Sequence, residues 1–162
     1  MAYQALSSDE TTDLSEAQVN DLDGRISVIM PVYNGAEFIP LSLPPLIDMM
    51  HRGEIFEVIV VDDGSTDGSK QMAETIGAKV LSSGGRLGPG GARNQAANTA
   101  LGDILWFVDA DVVVHSDAAR CLGIGFDVDQ VVAVFGSYDS NPPARNFFSQ
   151  YKNLVHHYYH NR

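Results

Sequence analysis

One cysteine, Cys121, is all the thiol chemistry that this 162-residue chain possesses. A lone thiol excludes an intramolecular disulfide and any multi-cysteine zinc site, and it suits a reducing cytoplasm, where the chain is expected to reside. Long apolar runs are missing too. None approaches the roughly 18 residues that cross a bilayer, and residues 1–20 lack the basic start and apolar stretch of a secretory signal. Bases are scarce, ten Lys and Arg against 21 Asp and Glu, for a formal net charge of -11. That balance argues against nucleic acid as a partner, while leaving room for a few placed cations at a diphosphate. There is no internal repeat and no low-complexity segment. Gly84 to Gly91 lacks the Gly-Lys-Ser/Thr ending of a phosphate-binding P-loop. Gly123-Ile124-Gly125 lacks the third glycine and the preceding strand of a dinucleotide fingerprint, which disfavours a dinucleotide-dependent oxidoreductase.

What remains is an ordinary globular composition, 44% hydrophobic and 19% charged, of one domain's length. Six acids but only one base fall in residues 1–25. Residues 1–24 are therefore expected to be a flexible acidic leader, with at most one short helix through Ser15 to Val19, and residues 25–162 the domain proper.

The most informative stretch is Ile104 to Asp111, Ile-Leu-Trp-Phe-Val-Asp-Ala-Asp. Five apolar residues in a row predict a strand buried on both faces, as in parallel sheets. Strand alternation then places Asp109 and Asp111 on one face at its carboxyl end, a corner suited to a hard divalent cation completed by phosphates. Two other predicted strands also end in polar residues. Ile26 to Val32 runs into Tyr33-Asn34-Gly35, and Glu54 to Val61 stops at Asp62-Asp63. Between these strands, Glu37 to Met50 has helical spacing, but Pro40, Pro44 and Pro45 predict a broken or late-starting helix. A short helix should end near Gly77, and Ala78 to Leu81 should be a third strand. A glycine-rich segment then leads into a helix from Ala92 to Ala100. Beyond Asp111 the pattern predicts a helix from Asp117 to Leu122 capped by Ser116, a fifth strand from Val131 to Gly136, and an aromatic helix from Asn146 to His160. His156 and His160 share one face of that helix without an accompanying acid, so a polar face is expected rather than a metal site. Phe147, Phe148, Tyr151 and Tyr159 on the same helix would pack internally or offer a peripheral membrane contact.

Strands alternating with helices imply an α/β fold, a Rossmann-like, mostly parallel sheet flanked by helices. Ligands of such sheets bind beyond the carboxyl ends of the strands, where the strand order reverses.

Four segments, in order, resemble the family-2 glycosyltransferases, inverting enzymes of the glycosyltransferase-A fold that use nucleotide-activated sugars. They are Ser27 to Asn34, Val60 to Asp67, Gly91 to Asn94 and Phe107 to Asp111. The resemblance implies that Pro31, Tyr33 and Asn34 line a nucleotide pocket and that Asp63 hydrogen-bonds the base, with Asp62 either beside it or capping the next turn. It further implies that Arg93 meets the diphosphate or sugar, that Asp111 binds Mg²⁺ or Mn²⁺, and that Asp109 binds ribose or metal. The donor would be a UDP- or GDP-sugar and the acceptor a saccharide, lipid or protein. In this family the catalytic base is a carboxylate of the second half of the domain. After Val131 only Asp139 is available and it reads as a loop acid, so the base is expected beyond Arg162 and the fold incomplete at its C-terminus. The alternative is a non-catalytic nucleotide-binding or regulatory module.

Overall fold

β1, Ile26–Val32, is the first described element and every residue but Pro31 is buried. A computed structural model of the chain describes residues 26–137 and Tyr151. The acidic leader, the loop with Asp139 and the aromatic helix, apart from a helical Tyr151, lie outside the described residues. The chain divides into two units, one ending at Gly123 and the other starting at Ile124.

In the first unit, β1 is followed by α1 (Ile39–His51), β2 (Glu57–Asp62), α2 (Ser69–Ile76), β3 (Lys79–Ser82), α3 (Gly88–Ala97) and β4 (Ile104–Phe107). All pairings are parallel and the spatial order is β3-β2-β1-β4. The Rossmann-like sheet therefore forms as expected, and its order reverses between β1 and β4. Ile29, Ile59 and Val61 pack on Ala92 and Ala96 of α3. Strand alternation directs Val28, Met30, Val58 and Val60, which are also buried, to the opposite face.

α1 departs from expectation. It runs unbroken from Ile39, with Pro40 in the first turn and Pro44 and Pro45 inside. Each interior proline costs about 3 kcal/mol. Ile39, Leu43, Leu46, Ile47 and Met49 are all buried, each stabilising by about 1.5–3 kcal/mol, so burial prevails over the proline penalty. β4 also departs. It is four residues long and lies at the sheet edge, with Leu105 and Trp106 half-buried and Phe107 47% exposed, rather than buried on both faces. α3 begins four residues earlier than expected, because Gly88-Pro89-Gly90-Gly91 forms its first turns.

The amino ends of the strands are pinned by one buried carboxylate. Glu57 Oε1 accepts from the Ser27 hydroxyl at 2.9 Å and from Leu101 N–H at 2.8 Å, and Oε2 accepts from Lys79 at 3.1 Å. Ser27 Oγ in turn accepts from Gly102 N–H at 2.9 Å. One polar cluster thus joins β1, β2, β3 and the lead-in to β4. Burial pushes the Glu57 carboxyl up, but the Leu101 N–H, Lys79 and Ser27 outweigh it and hold the group below its ordinary value.

α4, Ala118–Phe126, follows β4. In the second unit the expected fifth strand does not form. Residues 131–137 carry no regular structure, with Val132 and Phe135 strongly exposed. An apolar run becomes a strand only when a neighbouring strand takes its backbone hydrogen bonds; here Val131 N–H turns back to Val128 O at 3.2 Å, and no described strand pairs with the run.

Candidate functional site

The loops that leave β1 and β2 are stitched together at the carboxyl edge of the sheet. Asn34 adopts a left-handed backbone, φ 51°, which its short polar side chain tolerates. Its N–H donates to Ser65 Oγ at 3.0 Å and its Oδ1 accepts from Thr66 N–H at 2.8 Å. Gly35 N–H donates to Ser69 Oγ at 2.9 Å, and Ala36 N–H to Asp67 Oδ2 at 2.9 Å. Asp67 Oδ1 also accepts from the Ser69 hydroxyl and, at 3.0 Å, from Ser69 N–H. The Ser69 hydroxyl and Ala36 N–H hold the Asp67 carboxyl below its ordinary value, against the effect of burial. Asp62 Oδ1 accepts from Ser65 N–H at 3.3 Å, so Asp62 caps its own turn. The Asp109-Ala110-Asp111 segment sits beside this clasp, since a Cβ added at Gly35 would lie 3.7 Å from Ala110 Cβ.

Next to the clasp is a cleft of about 330 Å³ lined by Pro31, Val32, Tyr33, Asp63, Arg86, Gly88 and Pro89. Tyr33 is 46% exposed, and the Arg86 guanidinium lies over its ring, 4.9 Å from the centroid. Asp63 is buried and holds the glycine loop. Its Oδ1 accepts from Leu87 N–H and its Oδ2 from Gly88 N–H, both at 2.8 Å. The Ser83 hydroxyl and Leu87 N–H, with Gly88 N–H and the Arg86 charge, keep the Asp63 carboxyl below its ordinary value despite burial. Gly88, at φ 74°, begins α3 directly from this anchor.

Asp109 and Asp111 do not continue the strand. β4 ends at Phe107, and Val112 N–H returns to Asp109 O at 3.0 Å, so the two acids occupy a turn and strand alternation does not relate them. Both are exposed. Asp109 Oδ1 is ion-paired with Arg93 Nη2. Because α3 starts at Gly88, Arg93 lies in its second turn rather than at its amino end.

Among the predicted residues, Pro31, Tyr33 and Asp63 thus share one cleft, and Arg93 and Asp109 form a pair. Asn34 and Asp62 are tied into the loops, and Asp111 is exposed in the turn after β4. For a divalent cation, the donor chemistry of Asp109 and Asp111 fits a hard ion that one or two carboxylates hold and phosphates complete. No group of three or more His, Cys, Asp or Glu residues that could hold a metal ion gathers among the described residues. Sequence reasoning passed over Arg86, Pro89 and Asp67. Asp67 carried a signal, an acid two residues before a serine at a helix start, but Arg86 carried none within a flexible glycine segment.

Comparison with known proteins yields a consistent result. A poly(ribitol-phosphate) beta-glucosyltransferase of Bacillus spizizenii is 36% identical over 103 residues, which are 58% of this chain and 16% of that protein. Glycosyltransferase AglE of Haloferax volcanii is 36% identical over 95 residues, 56% of this chain and 31% of the relative. The chain therefore spans a third or less of the length of these curated relatives. Among solved structures, S. aureus TarS in complex with UDP-GlcNAc has a TM-score of 0.57 at 33% identity, covering 64% of this chain and 31% of that one. M. tuberculosis glucosyl-3-phosphoglycerate synthase in complex with UDP has a TM-score of 0.52 at 29% identity, covering 63% and 41%. The sheet and its flanking helices are thus of glycosyltransferase-A type. Residues 27–162 match the family described as glycosyl transferase family 2, and the chain belongs to that family.

Proposed function

We propose that this chain supplies the donor site of an enzyme that transfers a sugar from a UDP- or GDP-sugar to an acceptor hydroxyl with inversion. The observation that carries this reading is the cleft beyond the carboxyl ends of β1 and β2, where Tyr33 offers an exposed aromatic face and Asp63 a buried, ionised carboxylate. A base stacks on the ring, and an N–H of uracil or guanine donates to a lone pair of Asp63 that the loop amides leave free. Asn34 and Asp67 keep the Tyr33 loop in place, and Asp62 holds the turn behind Asp63. The diphosphate extends toward the Arg93–Asp109 pair, where the guanidinium meets negative charge.

Asp111 and Asp109 would hold Mg²⁺ or Mn²⁺. When bound, that ion would offset charge on the departing diphosphate. Inversion requires the acceptor hydroxyl to attack the anomeric carbon opposite the leaving nucleoside diphosphate while a base removes its proton. No described residue is assigned that task or the binding of the acceptor, a saccharide, a lipid or a protein. No helix among the described residues is long and apolar enough to cross a membrane.

Titration of the chain with UDP and GDP, each with and without Mn²⁺, tests the reading. Metal-enhanced binding of at least one is expected, and binding of neither would overturn it. Product formation from a donor sugar by this chain alone would exclude a purely regulatory nucleotide-binding module.

A further inference from the structure

Gly84, Gly85 and Gly90 stand in open space, since a Cβ added at any of them would meet nothing within 4 Å. Side-chain packing therefore does little to fix the segment between β3 and α3, and its course depends on a few hydrogen bonds from outside it. Ser83 N–H donates to Asp62 O at 3.0 Å, and Leu87 and Gly88 N–H donate to Asp63. A further tie comes from α3. Gln95 Nε2 donates to Ser82 O at 3.0 Å and so closes a ring of chain that contains Arg86, Leu87, Gly88 and Arg93. Every residue of this segment that lines the cleft, and the one that pairs with Asp109, lies inside that ring.

The other end of the same amide has no such bond. Gln95 Oε1 is buried and accepts from no described residue. The Ser82 carbonyl only accepts, so Nε2 must face it; reversing the amide would set two acceptors together. A buried acceptor without a partner costs more than an ordinary hydrogen bond contributes. Ser82 itself is exposed, so its carbonyl can bond to water instead. Folding stability is therefore not what the Gln95 side chain supplies.

We propose that Gln95 is a positioning residue of the donor site: by holding Ser82 O from α3, it fixes the glycine segment so that Leu87 and Gly88 meet Asp63 while Arg93 keeps its place on the same helix. The proposal rests on the proposed function and extends it to a residue that lines no part of the cleft. With the tie in place the cleft is formed before a nucleotide arrives. Without it, a segment rich in glycine must be ordered as the nucleotide binds, and that entropy subtracts from affinity.

Calorimetric titration of the 162-residue chain with UDP and with GDP in Mg²⁺, alongside thermal unfolding, tests this on two variants that keep a good helix former at the position. Gln95→Met keeps the bulk, donates nothing and leaves no strong acceptor buried. Affinity for the nucleotide that wild type binds should fall about three- to tenfold, while the thermal midpoint stays at or above that of wild type. Gln95→Lys provides a donor for Ser82 O and has no acceptor to bury, so its affinity should lie within about twofold of wild type. Three outcomes would overturn the role of Gln95 and leave the donor site standing: wild-type affinity in Gln95→Met, a fall of its affinity and midpoint together, or binding by Gln95→Lys as weak as that of Gln95→Met. A wild type that binds neither nucleotide would overturn both.

Discussion

Arg93 on α3 and Asp109 in the turn after β4 form an ion pair through Nη2 and Oδ1, joining two residues expected from the sequence to serve separately, one at the diphosphate or sugar and the other at the ribose or metal. Asp109 is mostly exposed and Arg93 less so, so the pair itself adds only about 0–1 kcal/mol to stability. Its weight lies in ligand binding. Arg93→Ala should leave the thermal midpoint within about 2–4 °C of wild type while UDP affinity falls about tenfold or more. A clear loss of stability with unchanged affinity would assign Arg93 to the scaffold instead.

Asp111 is exposed on the same turn and bears the proposed metal role. Asp111→Asn keeps the side-chain shape and removes the charge. The gain in UDP affinity that Mn²⁺ produces should largely disappear, whereas metal-free UDP affinity and the circular dichroism spectrum should stay as in wild type. Unchanged Mn²⁺ dependence refutes the assignment.

Glu57 predicts an acid sensitivity with a definite sign. Its carboxyl is held below the ordinary value in the folded chain, so the unfolded chain takes up the proton first. The stabilisation is therefore complete above the unfolded value, about pH 4.3, and fades as pH falls through the lower folded value. Glu57→Gln should cost about 1–3 kcal/mol at neutral pH, because the acceptor of Ser27, Lys79 and Leu101 loses its charge. Urea midpoints of both proteins from pH 7 to pH 3 should converge on acidification. Parallel curves would show that Glu57 is not the titrating group.

The left-handed Asn34 separates backbone strain from hydrogen bonding. Asn34→Ala loses the acceptor of Thr66 N–H and strains φ, for a combined loss of about 2–3 kcal/mol. Asn34→Gly loses only the acceptor and should be the milder of the two by about 1 kcal/mol. Denaturant unfolding measures both, and equal losses would mean that the conformation at this position carries no strain.

Asp67 stands outside the cleft but holds the loop that carries Tyr33. Asp67→Ala should weaken UDP binding several-fold alongside a stability loss of about 1–2 kcal/mol, comparable to the loss of a helix cap. Unchanged UDP affinity in a destabilised variant would uncouple the clasp from the site.

Sequence patterning alone determined the α/β class, the four observed strands within a few residues, and the end of α2 at Gly77, because apolar runs and glycine caps act locally. It also singled out Tyr33, Asp63 and Asp109 at strand ends, and the family resemblance added Arg93. Packing decided what local rules could not. α1 forms through three prolines because five buried side chains outweigh the ring penalty, and β4 is half exposed because strand order places it at the edge. The partners of each site residue were likewise set by tertiary structure: Asn34 against Thr66, Asp63 against Leu87 and Gly88, and Arg93 against Asp109. Arg86 shows the limit most plainly. Nothing in its local sequence distinguishes it from a solvated loop residue. It enters the cleft only because Asp63, more than twenty residues earlier in the chain, accepts the two amides that follow it.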